Sequence, residues 1–109
     1  MNWIQLNSSG QLDDIIEHSK FTPQIIFKHS TRCSISIMAL NRIEREPLPE
    51  GLIFYYLDLL TYREISNLIA DKFNVEHQSP QVLLIKNGQC TYEETHSAIS
   101  MDEIVEQAK

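Results

Sequence analysis

Three compact apolar runs constrain this chain more than anything else in it: "QIIFKH" at 24–29, "LIFYYLDL" at 52–59, and the apolar part of "PQVLLIKNGQCTYEET" at 80–95. Short runs rich in β-branched and aromatic residues are the pattern of strands buried on both faces, which requires a sheet covered by helices on two sides. The segments between them carry helical spacing. Leu12, Ile15 and Ile16 predict a first helix over about 11–19, broken by Pro23. Ile37, Met38, Leu40 and Ile43 predict a second helix that opens at Cys33 and stops before Pro47. Thr61 with Glu64 offers a capping box for a third helix carrying Ile65, Leu68, Ile69 and Phe73 on one side. Ser100 with Glu103 offers another for a terminal helix with Met101, Ile104 and Val105. Asn87-Gly88 is the dipeptide of a two-residue type I′ hairpin turn, whose two central residues both need φ > 0.

The predicted order is helix, strand, helix, strand, helix, strand, strand, helix. Parallel strands with helical crossovers, finished by an antiparallel hairpin, make an α/β fold in three layers around a mixed four-stranded sheet with helices on both faces. The chain has 109 residues, 42% of them hydrophobic and 22% charged, enough to bury a core as one domain over residues 1–109.

A net charge of −6 argues against nucleic acid as a partner, since phosphate contacts need a surplus of Lys and Arg. Locally the balance reverses. From Lys20 to Arg45 the bases Lys20, Lys28, Arg32, Arg42 and Arg45 face the single acid Glu44. No apolar run approaches a membrane span and the amino terminus carries no leader pattern, so the chain reads as cytoplasmic with no membrane partner. Both cysteines then read as free thiols. His18, His29, His77 and His96 show no metal-ligand spacing with each other or with the cysteines, so no metal site is expected.

The stretch that carries chemistry is "FKHSTRCSIS", residues 27–36. It places Cys33 where a strand ends and a helix begins. There the unpaired N–H groups of the first turn and the helix dipole favour thiolate over thiol, and Arg32 adds a cation. Such surroundings bring a cysteine pKa from ~8.5 into the ~3.5–7.5 range. The competing reading is an inert cysteine that opens a helix. Three residues on stands Ser36, and a hydroxyl cannot perform thiol–disulfide exchange, so any mixed disulfide on Cys33 must be resolved from outside. Ser36 is either a donor to the sulfur or an ordinary first-turn serine. His29 is either a local proton acceptor and source of positive charge or a packed, hydrogen-bonded histidine. Thr31 and Ser30 form the approach to the helix. Lys28 either meets an anionic ligand or is sent elsewhere by strand alternation. Cys90, without a basic neighbour or a helix start, reads as a packing or solvent-facing residue more than as a resolving thiol.

A cysteine at that junction, together with "HQSPQVLLI" in which Pro80 directly precedes a strand, resembles the thioredoxin-like proteins, where a cis-proline lies beside the reactive thiol. The whole of "FKHSTRCSIS" is similar to the signature of the monothiol bacilliredoxins, the YtxJ-like proteins of the bacillithiol system, in which Lys-His-Ser-Thr leads into Cys-x-Ile-Ser. The likeness extends over the length, the element order, "SPQVLLIKNG" and the acidic tail; Ser34 departs from it where many members have proline. It implies a thioredoxin-like fold with Cys33 as the catalytic nucleophile. Arg32, Ser36 and His29 would stabilise or position the thiolate, and Ser79, Pro80 and Thr31 would receive the substrate. It also implies bacillithiol as redox co-substrate without a metal or bound prosthetic group. Bacillithiolated client proteins would be the partners, with a low-molecular-weight thiol or a reductase for regeneration. Two alternatives stay open: a monothiol glutaredoxin-like protein using another small thiol, although Ser34-Ile35 breaks the Cys-Gly-Phe-Ser of cluster-bridging members, and a non-catalytic thioredoxin-like binding module.

Overall fold

The apolar runs become the strands of one sheet in a computed structural model that describes residues 2–109. The elements are β1 (Ile4–Gln5), α1 (Gly10–His18), β2 (Gln24–His29), α2 (Ser34–Glu44), β3 (Ile53–Asp58), α3 (Arg63–Phe73), β4 (Gln81–Lys86), β5 (Gln89–Thr95), a 3₁₀ turn (His96–Ala98) and α4 (Met101–Ala108). Strand order is β1-β3-β2-β4-β5. β1, β3 and β2 run parallel, while β4 is antiparallel to β2 and β5 to β4. The sheet therefore has five strands where four were expected. The additional β1 has two exposed residues paired to Tyr55 and Tyr56, too short a piece to show any periodicity in sequence.

Strand alternation divides the core in two. On one face Ile26, Tyr55, Leu57, Leu83 and Ile85 pack against Leu12 and Ile15 of α1 and Ile65, Ile69 and Phe73 of α3. On the other, Ile25, Phe27, Phe54, Val82 and Leu84 pack against Ala39 and Ile43 of α2 and Met101 and Ile104 of α4. Trp3, just before β1, lies on this second face with its ring centroid 5.8 Å from Phe27, 5.8 Å from Phe54 and 6.0 Å from Tyr56. Its indole N–H donates to Glu44 Oε2 at 2.9 Å, tying the start of the chain to the end of α2.

The sequence left the core face of α2 open. α2 turns Ser36, Ala39 and Ile43 inward, whereas Ile37 and Met38 are 41% and 60% exposed. Small residues let the helix lie close on the sheet, so its largest apolar side chains do not mark its core face. At α3 the Thr61–Glu64 capping box does not form: Tyr62 is the N-cap residue, and the Thr61 hydroxyl turns back to donate to Asp58 Oδ2 at 2.9 Å. Asp58 also accepts from the backbone N–H of Leu60 and Thr61, closing the turn after β3 itself. At α4 half of the expected box is present, with the Ser100 hydroxyl accepting from Glu103 N–H at 3.2 Å while the Glu103 carboxylate takes Gln107.

The Asn87-Gly88 turn has φ of 52° and 77° at its two central residues, both in the left-handed region a type I′ turn requires. Its outward amides meet the end of α1: Asn87 N–H donates to the Ser19 carbonyl at 2.9 Å and Gly88 N–H to the Ser19 hydroxyl at 2.8 Å. Ser19 is 4% exposed and donates its own hydroxyl proton to Ile16 O. Ser19→Ala leaves the Gly88 N–H without its acceptor and is expected to lower stability by about 1–3 kcal/mol in urea titration; an unchanged midpoint would show that water replaces the bond.

Candidate functional site

Cys33 is the N-cap residue of α2, with extended backbone at φ −108° and ψ 119°. Its N–H donates to Ser30 O at 3.2 Å and its carbonyl accepts from Ile37 N at 3.0 Å, so the turn that carries it is closed on both sides. The first-turn amides that follow an N-cap residue have no intrahelical partners, and no side chain caps this helix. Cys33 is half-buried, and Thr31, Arg32, Ser34 and Ile35 around it are exposed. Arg32 is absent from the ion pairs found among the described residues. Along the later turns of α2, away from Cys33, Met38, Asn41, Arg42, Glu44 and Arg45 line an open surface depression of about 550 Å³.

The antiparallel pairing of β2 with β4 brings a second segment to the same end of the sheet. Lys28 stands opposite Gln81, so the end of β2, which leads into the Cys33 turn, lies beside the start of β4. The Ser79–Pro80 peptide bond there is cis. Pro80 is buried and Ser79 is half-buried, with its hydroxyl unpartnered. The Pro80 carbonyl is taken by His96 N–H at 3.2 Å, which fixes the strand start to the segment after β5.

Ser36 is fully buried at 0% exposure, one turn inward from Cys33. Its hydroxyl accepts from Ser30 N–H at 3.0 Å and lies 2.7 Å from His29 Nδ1. The direction of the second bond decides what is left over. If Nδ1 is the acceptor, the single Ser36 proton is consumed by His29; if Nδ1–H donates, that proton is free for another acceptor. His29 is 3% exposed at the end of an aromatic row, 6.0 Å from Phe27 and 5.5 Å from Tyr56. Burial holds its pKa below the usual histidine value, against the pull of the Asp58 and Glu44 carboxylates.

The remaining candidates sit apart. Lys28 points to the opposite face from α2, under α3, where it meets His77 and not solvent. His77 was considered in sequence only as a metal ligand; its link to Lys28 spans 49 positions and leaves no local signal. Cys90 lies on β5, packed against the α1/α3 core, with its thiol donating to Tyr92 O at 3.3 Å and its pKa pushed up by burial. Among the described residues no group of three or more His, Cys, Asp or Glu is arranged to hold a metal ion, and no helix is long and apolar enough to cross a membrane.

Comparison with known proteins matches residues 4–104 to the family described as monothiol bacilliredoxin BrxC. Among solved structures, a proposed oxidoreductase with a thioredoxin fold is 30% identical with a TM-score of 0.85, over 97% of this chain and 93% of that one. A Fasciola hepatica thioredoxin superposes with a TM-score of 0.73 at 17% identity, over 96% of this chain and 98% of that one. A Malassezia sympodialis thioredoxin gives 0.76 at 19% identity, over 98% and 90%. The last two show the fold alone.

The His29 environment makes a prediction about acid. Because its folded-state pKa lies below the unfolded value of 6.5, the unfolded chain takes up the proton first as pH falls. Stability is therefore full above pH 6.5 and declines below it, until the folded protein protonates as well. His77 acts in the same direction. His29→Asn, which keeps a polar partner for Ser36 but cannot titrate, is expected to lose less stability than wild type between pH 7 and 5. Urea midpoints at several pH values measure this, and parallel curves for the two proteins would rule it out.

Proposed function

The chain belongs to the monothiol bacilliredoxin family, and from that premise we propose that it removes bacillithiol from protein mixed disulfides through Cys33. The thiolate of Cys33 attacks the bacillithiol sulfur of a client mixed disulfide. The client–bacillithiol S–S bond breaks, the client leaves as a thiolate, and a new S–S bond joins Cys33 to bacillithiol. The disulfide is passed on, so no external oxidant or reductant enters this step. A second low-molecular-weight thiol or a reductase then attacks the adduct and returns Cys33 to its starting state.

The observation that carries this reading is the pairing of an accessible thiol with a silent neighbour. Cys33 sits half-buried at the helix start, and the position a resolving cysteine would occupy holds Ser36, turned inward to Ser30 and His29. Cys90 belongs to the far strand of the hairpin and to the α1/α3 side of the core. In this reading Arg32 favours the attacking thiolate by its charge, and His29 holds Ser36 in place. The Ser79 backbone and Pro80 receive the client chain in extended form, with Thr31 on the approach. The exposed Ile35, Ile37 and Met38 form an apolar shoulder against which a protein, more than a small thiol, would gain contact area. The setting is the cytoplasm, where thiols are kept reduced.

Incubation with a bacillithiolated client, followed by intact-mass measurement, tests the scheme. Wild type and Cys90→Ser are expected to acquire one bacillithiol on Cys33 while freeing the client, and Cys33→Ser to be at least about 100-fold slower. Equal loss in both variants would give Cys90 a resolving role and end the monothiol reading. Recovery of a different small thiol on Cys33 from its host would replace bacillithiol as the co-substrate. With an alkylating probe near neutral pH, Cys33 is expected to react well before Cys90, whose burial favours the protonated thiol; comparable rates would contradict this.

A further inference from the structure

Lys28 is a buried cation without a counter-ion. It is 0% exposed in the middle of the sheet, and the ion pairs found among the described residues involve Lys20, Lys72 and Lys109 but not Lys28. Its ammonium is met only by neutral acceptors: the Ser66 carbonyl on α3 at 3.1 Å and Nδ1 of His77 at 3.3 Å. The Ser66 hydroxyl lies 3.1 Å from the same ring nitrogen. An ammonium has donors and no acceptor, so while Lys28 is charged Nδ1 must accept and His77 is neutral with its proton on Nε2. A leucine or methionine would fill this place in a core without the desolvation penalty, so the lysine calls for a role beyond packing.

Its position supplies one. His77 belongs to the segment 74–80, which joins α3 to β4 and ends at the Ser79–Pro80 bond. The same segment is also held by Gln81, itself 0% exposed. The Gln81 amide donates to Glu76 O at 3.0 Å and to Glu93 Oε2 at 3.1 Å, while its oxygen accepts from Gln78 N–H at 3.4 Å. Lys28 and Gln81 are register partners across β2 and β4. Two neighbouring buried polar side chains thus grip one short segment, and one of the two can lose its charge.

We infer that Lys28 and His77 are positioning residues for client exchange: the ammonium–imidazole contact holds the segment before Pro80, and with it the client-facing backbone of Ser79, and departure of the Lys28 proton loosens that hold. This rests on the reading that Cys33 exchanges with protein clients. A charged donor makes a hydrogen bond roughly twice as strong as a neutral one, so the amine grips less well than the ammonium. Burial brings the Lys28 pKa from 10.5 down to about 8, close enough to neutrality for the change to be reached without denaturing the protein. The charge facing this pair from α3 is Arg63, which together with Lys28 and burial keeps His77 neutral. The sheet partners of Lys28, Leu57 on β3 and Gln81 on β4, carry no charge, and the Glu93 carboxylate of β5 is bonded to Gln81.

Amide resonances of Gln78, Ser79 and Gln81 in the 15N-labelled protein, followed across about pH 6 to 10, test the latch directly. In wild type they are expected to share a midpoint at about 8 that is missing in Lys28→Met. At neutral pH the same variant is expected to raise KM for a bacillithiolated protein about threefold or more while a small alkylating reagent labels Cys33 at the wild-type rate. The wild-type advantage should fade as pH passes the midpoint. Absence of the midpoint, its persistence in Lys28→Met, or an unchanged KM would each overturn the inference. Should Lys28→Met not fold, Lys28→Gln keeps a donor for the Ser66 carbonyl and reads the same outcomes. If wild type itself fails to exchange with the client, the proposed function falls, and the amide titration still decides whether the latch exists.

Discussion

Strand β2 has no solvent face. All six of its residues are buried, so its polar side chains must look for partners inside the protein; Gln24 Oε1 finds none, whereas Lys28 and His29 do. Alternation then sends adjacent side chains to opposite layers. Lys28 goes to the α1/α3 layer and bonds Ser66 and His77; His29 goes to the α2/α4 layer and bonds Ser36. Ser36 belongs to the helix that Cys33 caps, and His77 to the segment that carries Ser79 and Pro80. The hydrogen bonds of two consecutive residues in the central strand thus reach both halves of the candidate site.

Much of this was legible in the sequence, for reasons that can be named. The apolar runs and the Asn87-Gly88 dipeptide are local signals with a strong physical cause, and they located four strands and their hairpin. The Cys33 corner was legible because the end of an apolar run met the start of a helical pattern. What escaped was non-local or too short. β1 is two residues long, and the aromatic row that includes Trp3 is assembled from β2, β3 and the residue before β1, which are distant in sequence. The apolar spacing located α2 but not its core face, which Ser36 and Ala39 carry with Ile43; hydrophobic patterning gives weight to size, while close approach to a sheet favours smallness. Asp58 took over the turn that Thr61 was expected to cap, since the carboxylate accepts from two amides and the hydroxyl at once. The partner of Lys28 was out of reach for any local pattern.

The arrangement around Cys33 separates two demands that a dithiol centre combines. Ser36 retains the hydrogen-bonding place of a second polar group under the turn but contributes no sulfur, so the buried side of the helix start serves structure while the half-buried Cys33 is the one thiol at that corner. The large apolar residues that α2 does not need for its core, Ile35, Ile37 and Met38, stand on the exposed side.

Trp3 is the chain's single tryptophan. Its ring contacts Phe27 and Tyr56, and each of these in turn contacts His29, so one ring separates the indole from the imidazole that anchors Ser36. Indole emission responds to nearby charge, and the indole here has the Glu44 carboxylate on its N–H at 2.9 Å and the His29 imidazole one ring away, so its surroundings join the end of α2 to the end of β2.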